Sequence, residues 1–174
     1  MNINRQKLTE VIEAECGNNW WKPELFELKT KLLLPSELQV VSSPPKEKEN
    51  YNCFVFAFGL QNNTKFLGGK NPVHQEFVKY LILKHVLIPI ETPSARDLVF
   101  YENEQGEVTH GGIMQSENIV ISKWMWGPTI VHELLDVPTS FGDKILFFRA
   151  PATDEIQRKY IAYKNTGVEI KPIG

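Results

Sequence analysis

The spacing of apolar and polar positions divides the chain into a helical first part and a strand-rich second part. Leu8, Val11, Ile12 and Cys16 recur at helical intervals through residues 4–16, with charged side chains between them, and Gly17 follows as a candidate C-cap. Residues 25–34 read as a second helix stopped by Pro35, with Trp20, Trp21 and Pro23 in the turn before it. Residues 42–50 collect serine, proline, lysine and glutamate, the composition of an exposed loop. Residues 72–88 place Phe77, Val78, Leu81, Ile82 and Val86 on one helical face, with Asn71 as N-cap and Pro72 at the first helical position.

After Pro93 the pattern changes. Residues 97–101, 108–114 and 118–122 read as an antiparallel meander, residues 144–149 as a last strand entered through the turn 140–143, and residues 154–163 as a helix capped by Thr153. Helices first and strands afterwards argue an α+β domain, with helices packed on one face of an antiparallel sheet. One segment resists assignment. Residues 53–60 form a continuous apolar run that periodicity cannot divide between buried helix and buried strand, although the Phe and Val content favours strand locally.

Composition narrows the function classes. At 174 residues the chain suits one domain with a sizeable core. Nineteen basic and 21 acidic side chains leave a net charge of −2, which offers no field to hold a nucleic-acid backbone. The first residues lack the apolar stretch of a secretory signal and no 18-residue apolar run occurs, so neither membrane anchoring nor Sec-type export is expected and the cytoplasm is the expected compartment. Two cysteines are too few for a disulfide-stapled secreted fold. No CxxC, HExxH or P-loop pattern is present, so no metal or other cofactor is expected.

Cys53 opens the apolar run directly after Tyr51 and Asn52. If the run is helical, Asn52 is its N-cap and Cys53 its first residue, where unpaired N–H groups favour a thiolate. Taken alone, a buried apolar cysteine explains the position more simply. His110 lies near the start of the strand Thr109-His-Gly-Gly-Ile-Met114, and imidazole is the side chain best suited to accept and return a thiol proton near neutral pH.

Together these segments resemble the NlpC/P60 superfamily of papain-fold cysteine peptidases and amidases. The resemblance runs from about residue 50 to 149. It is carried by Asn52-Cys53 opening an apolar segment, by Asp97-Leu-Val-Phe-Tyr101, by Thr109-His-Gly-Gly-Ile-Met114, by residues 118–123 and by residues 140–149, in the family's order. It implies a papain-like α+β fold with helices on a central antiparallel sheet, a core over 51–150, an N-terminal helical extension over 1–50 and a C-terminal helix and tail over 151–174. It also implies that Cys53 begins the central helix, that His110 faces it, and that a polar residue about a dozen positions later orients the imidazole. That position falls on Ser122, with His132 as the alternative, while Lys123 as a cation would oppose an imidazolium. The family's wall-cleaving members carry Asp before and Ser after the cysteine, where this chain has Asn52 and Phe54, so a peptidoglycan substrate is disfavoured. Tyr51, Asn52, Trp124 and Trp126 are the expected substrate-binding side chains, and a peptide or amide is the expected substrate. The implied activity is thiol hydrolysis of an amide or peptide bond. The alternatives are a non-catalytic binding module of the same fold, or an acyltransferase, deamidase or toxin using the same site.

Overall fold

The computed structural model describes residues 4–16, 21–46, 51–62 and 73–165. Its centre is a seven-stranded antiparallel sheet in the order β1-β6-β5-β4-β3-β7-β2. The strands are β1 (Gln39–Ser42), β2 (Ile88–Pro89), β3 (Leu98–Glu102), β4 (Val108–Met114), β5 (Ile119–Lys123), β6 (Thr129–Glu133) and β7 (Lys144–Arg149). The meander β3-β4-β5 predicted from the sequence continues into β6, and β7 returns to the far side of β3. β1 falls within the segment expected to be a helical extension, yet it closes one edge of the sheet against β6.

Helices cover both faces of the sheet, not the single face expected. On one face α4 (Cys53–Ala57), α5 (Gln75–Leu83) and α6 (Thr153–Asn165) bury Phe54, Phe58, Phe77 and Tyr160 against Leu98, Phe100 and Phe148. On the other face, Leu8 and Ile12 of α1 (Arg5–Cys16) pack with Phe26, Leu38, Val99, Tyr101, Val120, Trp124 and Phe141. Two covered faces explain why β3 reads as an unbroken apolar run: its four residues Leu98 to Tyr101 point alternately into two cores, and all are buried.

The helices follow local chemistry. The run at Cys53 is helical, because Asn52 caps it: the Val55 N–H donates to Asn52 Oδ1 at 3.2 Å. α5 ends at Leu83, several residues before the predicted limit, since His85 adopts φ +52° and turns the chain out of the helix. The expected cap Asn71 and Pro72, together with Gly17 and Trp20, lie outside the described residues. The second predicted helix consists of α2 (Pro23–Leu25), a π-helical turn (Phe26–Thr30) and α3 (Lys31–Leu33). Arg5 ties α1 to the loop before β7, donating to the carbonyls of Val137 at 2.9 Å and Gly142 at 3.0 Å. Gly142 itself is required there, because its φ of +98° would strain any other residue and a Cβ would lie 2.4 Å from the Glu102 carbonyl oxygen.

Candidate active site around Cys53

Cys53 sits at the first position of α4 and is 5% exposed. Its predecessor locks that placement: besides capping α4, Asn52 donates through Nδ2 to the Val73 carbonyl at 2.7 Å. Both ends of the Asn52 amide, expected as a substrate contact, therefore make a hydrogen bond within the fold. Burial pushes the Cys53 thiol up to about 12, opposed in part by the backbone N–H groups of Gly111, Phe54 and Cys53 and by the charge of Lys123. Gly111 makes room for the Phe100 ring of β3, which packs against Phe54 of α4, because a Cβ there would meet that ring at 2.7 Å.

Lys123, the last residue of β5, shares this face of the sheet with Ile121 by strand alternation. Its side chain is fully buried, and Nζ donates to the Gly127 carbonyl at 2.5 Å and lies 4.8 Å from the centroid of the Tyr51 ring. Among the described residues no carboxylate forms an ion pair with it. Burial pulls its ammonium down to about 7, and the charge of Cys53 acts in the opposite direction. Tyr51, expected as a substrate contact, is found as a ring against Lys123; burial also raises its phenol.

His110 does not join this group. Its ring stacks on Phe141, with centroids 3.9 Å apart, and lies 5.5 Å from Tyr101, both members of the opposite core. The reason is its register with β3. β3 pairs Tyr101 with His110 but Glu102 with Val108, which leaves Thr109 as an extra residue whose hydroxyl donates to the Tyr101 carbonyl at 3.2 Å and also to that of Phe141. Paired with Tyr101, His110 shares the face of Gly112 and Met114 by ordinary alternation, which is the face of the second core; the bulge lies beyond it and moves Val108 into the Cys53 core. Neither ring nitrogen of His110 has a hydrogen-bond partner, and burial, then the charge of His132, hold its pKa well below the ordinary histidine value. No Cys–His pair is evident among the described residues.

The expected third residue is engaged elsewhere. Ser122 Oγ lies 2.8 Å from His132 Nε2, and His132 Nδ1 lies 2.7 Å from the Glu133 carbonyl oxygen. A carbonyl only accepts, so Nδ1 carries the proton, Nε2 accepts from the Ser122 hydroxyl, and Ser122 Oγ accepts from Trp124 Nε1 at 3.1 Å. Ser122 and His132, weighed as alternatives for orienting His110, therefore orient each other. Burial lowers the His132 imidazolium to about 4, a shift partly offset by the Glu133 carbonyl. Trp124 is fully buried and meets His132 and Phe141 edge-on, so it is a core residue on the far face and walls no cleft at Cys53. Trp126 is half-buried in the turn between β5 and β6.

Lys123, expected only as a cation opposing an imidazolium, is an ionisable side chain on this face of the sheet that interacts with Cys53. Its signal was present: the strand Ile119-Val-Ile-Ser-Lys123 alternates, and a lysine in register with Ile121 points where that isoleucine points. Among the described residues no group of three or more His, Cys, Asp or Glu side chains is arranged to hold a metal ion. No helix among them is long and apolar enough to cross a membrane.

Residues 41–149 match a family described as Domain of unknown function (DUF7689). The chain belongs to the DUF7689 family. The DUF7689 match begins in β1 and ends with β7, so it includes Cys53, Gly111 and Lys123 and the His110 layer opposite, while α1 and α6 lie beyond it. No curated protein and no solved structure matches the chain. The name DUF7689 carries no activity, and nothing in these comparisons names the NlpC/P60 superfamily.

Proposed function

We propose that this DUF7689 domain is a thiol-dependent hydrolase in which Cys53 attacks the carbonyl carbon of an amide or peptide substrate, following the NlpC/P60 resemblance in the order of its elements. The observation that carries the reading is the setting of Cys53: first residue of a helix capped by Asn52, with backbone N–H groups of Gly111 and Phe54 acting on its sulfur. Those donors favour negative charge at the thiol and beside it, where an oxyanion would form during acyl transfer.

A second reading has its own support. The thiol is nearly sealed and held in its protonated form, and the Asn52 amide is hydrogen-bonded at both ends within the fold, which suits a papain-like domain that binds without turnover. Acylation separates the two. With Cys16→Ser, Cys53 is the one remaining cysteine. Treatment with p-nitrophenyl acetate should give a burst of p-nitrophenol and a single acetyl adduct on Cys53 by mass spectrometry, both lost in Cys53→Ala. Acetylation no faster than that of the urea-unfolded chain would remove the hydrolase reading and leave the binding module.

A further inference from the structure

We propose that Lys123, and not a histidine, is the proton acceptor and donor for Cys53. The inference rests on the reading of Cys53 as a nucleophile and deepens it by naming the second catalytic residue.

Three observations converge on Lys123. A fully buried lysine without a carboxylate partner among the described residues is costly to keep charged, because desolvation of an ammonium is repaid only by close counter-charge. It stands on the face of the sheet that α4 covers, where contacts join α4 to β4 and to β5. Its immediate neighbours also suit a group that gains a proton: the Gly127 carbonyl accepts from it at 2.5 Å, and the Tyr51 ring presents its face at 4.8 Å, an arrangement that favours the cation once formed. Tyr51 is two residues from Cys53, so the same short segment holds the thiol and the ring that steadies the ammonium. Both groups are shifted toward their neutral forms, the amine lowered to about 7 and the thiol raised to about 12, and each feels the charge of the other.

The chemistry balances without any further group. The neutral Lys123 amine takes the proton of the Cys53 S–H as sulfur bonds to the substrate carbonyl carbon. The resulting ammonium then gives that proton to the departing amine as the C–N bond breaks, leaving a thioester on Cys53. Water attacks the thioester carbonyl and passes its proton through Lys123 to the departing sulfur, which releases the carboxylic acid and restores both side chains. A lysine in this role needs a lowered pKa, which burial supplies.

The test is the pH dependence of Cys53 alkylation by iodoacetamide, followed by mass spectrometry in the Cys16→Ser protein and in the same protein carrying Lys123→Met or His110→Phe. The expected rate rises through an inflection near pH 7. Lys123→Met should lose the inflection and react at least about tenfold more slowly at pH 8, while His110→Phe should keep both rate and profile. An unchanged profile in Lys123→Met overturns the inference and leaves Cys53 a nucleophile with another partner, and loss of the inflection in His110→Phe does the same. If native Cys53 does not alkylate at all but does in urea, the nucleophile reading itself falls. Should Lys123→Met not fold, the parent and His110→Phe profiles decide: a shared inflection near 7 supports Lys123, and its absence from the parent overturns it.

Discussion

Replacing Trp124 with alanine should destabilise the protein by about 3–5 kcal/mol, the usual cost of truncating a fully buried aromatic side chain. That loss is a large share of the roughly 5–15 kcal/mol that holds a typical domain folded. The indole is sealed between His132 and Phe141, and its N–H is the donor that satisfies Ser122 Oγ. Alanine would leave a cavity and remove one member of the bonded chain Trp124–Ser122–His132. Urea unfolding reads this as a fall in midpoint with little change in slope. A substrate-cleft wall, which the sequence suggested for this residue, would behave otherwise: stability within about 1 kcal/mol of the parent, as for a typical surface change. That outcome would show that the indole is not packed in the second core.

Acidification should be nearly as costly. His132 titrates at about 4 in the folded protein against an ordinary 6.5, so below pH 6.5 the unfolded chain binds more protons than the folded one. Stability is therefore fully present above pH 6.5 and lost as pH falls toward 4, where the imidazolium can form in place. From His132 alone the loss at pH 5 is about 2 kcal/mol. His110 adds to it with the same sign, because its folded pKa is also depressed and neither nitrogen has a partner to stabilise a charge. This window lies above the ordinary carboxylate range, which separates it from general acid unfolding. Urea midpoints at pH 7 and pH 5 measure the effect, and His132→Gln should reduce it to the share carried by His110. A midpoint that does not move between those pH values would show that the two rings are not held neutral in the core.

How far the sequence revealed the fold depends on how local the cause was. Helical spacing located α1, and the Asn52 cap beside Cys53 was readable because both partners lie within three residues. The meander was readable from its alternation and turns, apart from β6, whose Thr-Ile-Val-His-Glu run follows the irregular Trp124 to Pro128 turn. β1 carries one half-buried valine, Val40, among exposed neighbours, so it offers little period to detect. The second covered face was legible in principle from β3, where Leu98 to Tyr101 shows no polar alternation.

The candidate site shows the same division. Cys53 at the head of α4 followed from neighbouring residues and from the resemblance. The face of His110 did not, because it is set by pairing with Tyr101 of β3 and cannot be read from β4 alone. Regular alternation along β5 then puts Lys123, and not the expected histidine, on the side of the sheet that the thiol occupies.

The central claim, that a buried neutral lysine faces Cys53, is tested most directly by following the ¹³Cε resonance of Lys123 against pH by NMR, assigned by its absence from Lys123→Met. A midpoint near 7 is expected, because burial without a counter-charge disfavours the ammonium. A midpoint at the ordinary 10.5 would contradict the claim, since a lysine charged at neutral pH could not accept the thiol proton.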